Sequence, residues 1–81
     1  MKFLITNNQP IKLKVYIEPS TDEIYLDTDD ILTVMSKFDD VTPFEIQYHA
    51  DYIVLWVPHG QSANFLLNGN EIETLCSQYV W

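Results

Sequence analysis

The fold turns on how one stretch is read, Ile24–Phe38, IYLDTDDILTVMSKF, and on its counterpart Phe65–Tyr79, FLLNGNEIETLCSQY. Each runs through strand-like residues, a polar turn, a capping residue and then a segment with helical spacing. In the first, Ile31, Val34, Met35 and Phe38 fall at i, i+3, i+4 and i+7, one face of a helix. Thr28 or Asp29 suits its N-cap, and Asp29 and Asp30 sit where the helix dipole favours negative charge. In the second, Ile72, Leu75, Cys76, Tyr79 and Val80 share a face. Asn70 caps it with Glu73 three residues on, close to a capping box, and Asn68-Gly69 supplies the tight turn before it.

Working outward, a shift of 41 positions pairs residues 1–40 with 42–81 without a gap. Phe3/Phe44, Ile5/Ile46, Leu26/Leu67, Ile31/Ile72, Thr33/Thr74 and Ser36/Ser77 are identical under that shift. Conservative pairs such as Leu13/Val54, Asp27/Asn68 and Met35/Cys76 fall on the periodic positions. The strand signals repeat as well. KFLIT (2–6) and IKLKVYIE (11–18) alternate apolar and polar residues with period two, and IYL (24–26) follows the turn PSTDE. FEIQYHA (44–50), DYIVLWV (51–57) and NFLL (64–67) take the same places in the second half, with His49-Ala50-Asp51 as a hairpin connection. The expected fold is therefore a single α+β domain over residues 1–81. It is built from a duplicated β-β-β-α unit (1–41 and 42–81), a mostly antiparallel sheet packed with two short helices.

The halves differ in one strand. The lysine-bearing face of 11–18 corresponds to Ile53, Leu55 and Val57, which oppose Tyr52, Val54 and Trp56. A strand apolar on both faces is either covered on both sides or meets another protein, so Ile53, Leu55 and Val57 form a candidate dimer or partner strip. Trp56 is expected in the core, and Trp81 as a terminal flap packed back on the sheet.

Composition bounds the function. A chain of 81 residues buries only about 60–65% of its unfolded surface, and a hydrophobic fraction of 47% suffices for one core. The single cysteine allows no intrachain disulfide and no four-thiolate zinc site, which fits a reducing cytoplasm. No apolar run approaches the roughly 18 residues of a membrane span. Twelve acids against four lysines give −8, and there is no arginine. Arginine supplies the fork for bidentate phosphate and guanine contacts, so direct nucleic-acid binding is not expected, nor is binding to an anionic membrane.

The acids cluster. Glu18, Asp22, Glu23, Asp27, Asp29, Asp30, Asp39 and Asp40 share a stretch with one lysine, whereas the matching part of the second half holds only Glu71 and Glu73. Turn and cap duties alone would be met by Asn, Ser or Thr, as they are there. Glu18, Asp22, Glu23, Asp27, Asp29 and Asp30 are thus the candidate acidic partner-binding face, with Tyr16 and Tyr25 as aromatic anchors. Neutralising Asp22, Glu23, Asp27 and Asp29 together is expected to leave folding intact.

Catalytic chemistry finds little footing. The two glycines, Gly60 and Gly69, form no phosphate loop, and His49, Asp51, His59 and Cys76 lack metal-ligand spacing. Cys76 reads as a core thiol. No metal, cofactor or catalytic set is expected. The expected function is a small acidic binding protein that steers to a basic target, such as a nucleic-acid-processing enzyme, and inhibits it stoichiometrically. A phage counter-defence protein of the anti-CRISPR or anti-restriction type, or an immunity protein or antitoxin against a nuclease, fits that description. A homodimeric assembly subunit and a small-ligand binder in a cleft between the repeats are the alternatives.

Overall fold

Period-two burial, not helical spacing, organises the chain. The computed structural model describes residues 2–37 and 43–81. Its elements in order are β1 (Lys2–Thr6), β2 (Leu13–Glu18), β3 (Asp22–Leu26), β4 (Ile31–Ser36), β5 (Glu45–Tyr48), β6 (Tyr52–Trp56), β7 (Ala63–Leu67), β8 (Asn70–Ile72) and α1 (Leu75–Gln78). They form a small α+β domain of two four-stranded sheets, ordered β1-β4-β7-β8 and β3-β2-β6-β5, with one short helix. The pairings are antiparallel except that between β2 and β6, which is parallel.

One core lies between the sheets. Val15, Ile17, Leu26 and Leu55 from one sheet and Leu32, Val34 and Phe65 from the other are fully buried. Phe3, Ile5, Phe44, Ile46, Leu67 and Ile72 pack around them, with Phe3 and Phe44 edge to face at 5.7 Å. Each fully buried aliphatic or aromatic side chain contributes about 1.5–3 kcal/mol relative to exposure.

The first expected helix is a strand. In β4 the buried residues are Leu32 and Val34, while Ile31, which helical spacing placed on the core face, is 39% exposed. β-Branched Ile31, Thr33 and Val34 fit a pleated surface well, and β4 gains ladder bonds on both sides from β1 and β7. Asp27–Asp30, expected to cap a helix, instead makes the turn from β3 to β4, with Asp29 left-handed at φ 70° and the Asp30 N–H donating to the Asp27 carbonyl at 3.0 Å. Cap and turn draw on the same short polar side chains, so the sequence signal is shared. Phe38, Asp39 and Asp40 lie outside the described residues.

The second expected helix shrinks to α1. Asn68 (φ 51°) and Gly69 (φ 85°) make a turn with both central residues at positive φ, the geometry that joins antiparallel strands, here β7 and β8. The cap is Thr74 in place of Asn70, and its hydroxyl accepts from the Ser77 N–H at 3.0 Å while the Ser77 hydroxyl accepts from the Thr74 N–H at 3.3 Å. Cys76 alone of the helix is buried; Leu75, Tyr79 and Val80 are exposed. Trp81 folds back onto α1 and the loop before β7, where the sheet was its expected seat: its indole N–H donates to the Leu75 carbonyl and its backbone N–H to the Gln61 carbonyl, each at 3.1 Å.

The strand order does not reproduce the expected duplication. Under the 41-residue shift β2 and β3 answer to β6 and β7, yet β2 pairs with β3 whereas β6 pairs with β5 and β7 with β4. Register corrects the phase of β6 as well. Its pairing with β2 sets Val15 beside Ile53 and Ile17 beside Leu55, so Ile53, Leu55 and Val57 are core residues, at 4%, 0% and 5% exposure. They are no partner strip. A one-residue slip exchanges the faces of a strand, and Tyr52, Val54 and Trp56 accordingly point outward.

Candidate functional site

The outer face of the sheet β3-β2-β6-β5 carries the densest aromatic and charged set among the described residues. It follows from alternation: with Leu13, Val15 and Ile17 inward, β2 turns Lys14, Tyr16 and Glu18 outward, and β3 turns out Glu23 and Tyr25. β6 adds Tyr52, Val54 and Trp56, and β5 adds Glu45 and Gln47. Register aligns them in rows across the strands. Tyr25, Lys14 and Tyr52 form the first, Glu23, Tyr16, Val54 and Gln47 the second, and Glu18, Trp56 and Glu45 the third.

The rings hold one another and two lysines, with the Lys12 ammonium 5.9 Å from the Tyr25 ring centre and Lys14 set deeper among them. Tyr16 meets Tyr52 edge to face at 5.6 Å, and His49 stacks on Tyr52 at 4.3 Å. The Lys14 ammonium lies 5.1 Å from the Tyr16 ring centre and 5.2 Å from that of Tyr25, with the Glu23 carboxylate at 4.0 Å. The side chains of Tyr16 and then Tyr25 raise the Lys14 pKa above the ordinary lysine range, so the ammonium stays charged within the face. Tyr25 and Trp56 remain 47% and 40% exposed.

The predicted acidic residues divide. Glu18 and Glu23 belong to this face, together with Tyr16 and Tyr25. Asp22 does not: its carboxylate accepts from the backbone N–H groups of Leu75 and Cys76, both at 2.9 Å, and from the Ser20 hydroxyl at 2.7 Å. It supplies acceptors that the first turn of α1 lacks. Neutralising it weakens an acceptor shared by two backbone N–H groups and should therefore cost stability, where the sequence alone suggested that folding would be intact. Asp27, Asp29 and Asp30 sit in the β3–β4 turn. Asp27 lies 3.7 Å from Lys12 at the surface, a pairing worth little. Asp30 accepts from the Asn68 amide at 2.9 Å and the Asp27 N–H at 2.8 Å, and these bonds, the Asn68 bond first, lower its pKa below the usual aspartate value.

Sequence reasoning missed Lys14, Glu45, Tyr52 and Trp56. The available signal was chemical: Tyr and Trp carry a polar tip that suits a half-exposed position, whereas Ile53, Leu55 and Val57 have none. Among the described residues, cavities flank the sheets. One, about 230 Å³ between Ile5, Leu13, Ile53, Tyr48, His49 and the 6–9 loop, opens at an end of the core. Another is an open groove bounded by Lys37, Glu71, Glu73 and Ser77. Cys76, on the inner side of α1, is fully buried, and burial pushes its thiol pKa up, against nucleophilic use. Among the described residues no three His, Cys, Asp or Glu side chains converge as a metal ligand set, and no helix is long and apolar enough to cross a membrane.

Fold and face together define a two-sheet α+β domain that presents one aromatic, carboxylate-bearing sheet surface. Comparison of the chain with protein families, with curated proteins and with solved structures gives no match.

Proposed function

We propose that the chain is a non-catalytic binding protein that occupies a basic, nucleic-acid-binding surface of a target enzyme and inhibits it stoichiometrically in the cytoplasm. Phage counter-defence proteins against CRISPR or restriction systems act in this manner, and immunity proteins and antitoxins against nucleases share the chemistry. The observation that carries the reading is the open face of β3-β2-β6-β5. Glu18, Glu23 and Glu45 surround exposed Trp56 and Tyr25 on a rigid sheet, in a chain of net charge −8 without arginine. Carboxylates at the rim steer a positive partner, and aromatic rings supply the anchors. The test is capture of partners from lysate of the organism carrying the chain, at low and high salt. The reading expects a basic nucleic-acid enzyme held at low salt and released at high salt, whose nucleic-acid binding is lost at equimolar inhibitor. An enzyme that binds nucleic acid and this protein together would overturn it.

A second reading, a homodimeric assembly subunit, is favoured by the outer face of the other sheet. There Leu4 (58% exposed) and Ile31 (39%) share the face with half-buried Met35 and Leu66 around Thr33, with Lys2 and Glu71 on the outer strands beside Met35 and Leu66. Elution at dimer mass irrespective of salt, with no partner captured, would select it.

A further inference from the structure

We infer that the row Glu18–Trp56–Glu45 is a receptor for an arginine side chain on the partner, an inference that rests on the binding-protein reading above. The row crosses three adjacent strands: β2 and β6 set Glu18 beside Trp56, and β5 and β6 set Glu45 on its other side. Neighbouring strands lie about 4.8 Å apart, so the two carboxylate-bearing positions stand roughly 10 Å apart with the Trp56 position midway. All three side chains point away from the core, and Trp56 is 40% exposed.

The occupant follows from charge and shape. A guanidinium is planar, stacks on an indole face and carries N–H donors around its rim. Lying on Trp56 it reaches a carboxylate on each flank at once, whereas an ammonium, a compact point charge, engages one flank or the ring. The chain has no arginine of its own to fill the row. Among the described residues neither Glu18 nor Glu45 has an ion-pair partner; Glu45 only accepts from the Gln47 amide at 2.9 Å. The lysines at the face lie at its other end: Lys14, two rungs away, is held over Tyr16 and Tyr25, and Lys12 lies by Tyr25 and Asp27. The row is thus a negative, aromatic, unfilled surface, complementary to arginine more than to any other protein side chain.

The test uses the intact protein with nona-arginine and nona-lysine peptides at low salt, read by titration calorimetry and by the indole N–H resonances of the two tryptophans. Trp81, whose indole N–H is bonded to the Leu75 carbonyl, serves as the internal reference. The expected result is about five-fold tighter binding of the arginine peptide, with the Trp56 resonance moving and that of Trp81 still. Trp56→Leu should abolish the arginine preference while leaving residual charge-driven binding. Glu18→Gln with Glu45→Gln should reduce the preference without moving the Trp81 resonance of the free protein, which reports that the fold is kept. Equal affinity for both peptides, or a preference that survives Trp56→Leu, would overturn the inference. Failure of the underlying reading looks different: the arginine preference stays, and no basic enzyme is captured from lysate.

Discussion

Asn7 is fully buried, and every polar group it carries has a partner. Its side-chain amide donates to the carbonyls of Ile11 and Leu26, both at 2.9 Å, and its side-chain oxygen accepts from the Gln9 N–H at 3.1 Å. Its backbone bonds Asp29 and Asp30. One residue therefore clips the β1–β2 loop to the β3–β4 turn. Asn7→Ala removes the donor from the buried Leu26 carbonyl and from the more exposed Ile11 carbonyl and should cost about 1–3 kcal/mol, read as a fall in the urea midpoint with unchanged slope. Asp30 makes the corresponding link from that turn to Asn68. Its lowered pKa means that the folded state holds the proton less tightly than the unfolded chain does. The stabilisation is present above the unfolded aspartate pKa and is lost as pH falls through the depressed folded value. Asp30→Ala should remove that part of the acid limb from stability measured against pH, while the wild type keeps it. Neither role was legible in the sequence, because both depend on loops that meet only after folding.

At the scale of elements, β1 and β2 follow from alternation in the sequence, β3 and β5 to β7 from apolar runs set between turn residues, and the turns at 19–21, His49–Asp51 and Asn68-Gly69 fall within the stretches read as turns. What misled was β4 and the run after Asn68. Their apolar residues satisfy both period 3.6 and period two, and short polar residues before them suit a cap or a turn equally. Position decides: β4 lies inside its sheet between β1 and β7, and only a strand can pair with both. The parallel neighbour of β2 could not be foreseen either, and with it went the phase of β6. The corrected phase carries a consequence. Leu55→Lys places an ammonium in a fully buried site and should unfold the domain, seen as loss of the cooperative transition, and not merely alter association. A folded Leu55→Lys protein of altered oligomeric state would restore the strip as an interface.

At the scale of the molecule, the charge was readable at once and the place where it matters was not. Of the eight carboxylates between Glu18 and Asp40, the open sheet face takes Glu18 and Glu23, the helix takes Asp22, and the β3–β4 turn takes Asp27, Asp29 and Asp30. Proximity in sequence did not become proximity on one surface, because the chain crosses from one sheet to the other between β3 and β4 and the Asp22 carboxylate turns to the helix. Instead the face recruits Glu45, Tyr52 and Trp56 from the second half of the chain. If the face is what binds, removing charge there must matter more than removing the same charge elsewhere. The most direct measurement compares the captured enzyme's affinity for two charge-matched variants, Glu18→Gln/Glu23→Gln/Glu45→Gln and Asp27→Asn/Asp29→Asn/Glu73→Gln. The account predicts a loss of about ten-fold or more for the first, since each lost charge pair is worth roughly 0.5–1 kcal/mol, and less than about three-fold for the second. Equal losses would mean that net charge alone governs binding, and would contradict the assignment of the sheet face.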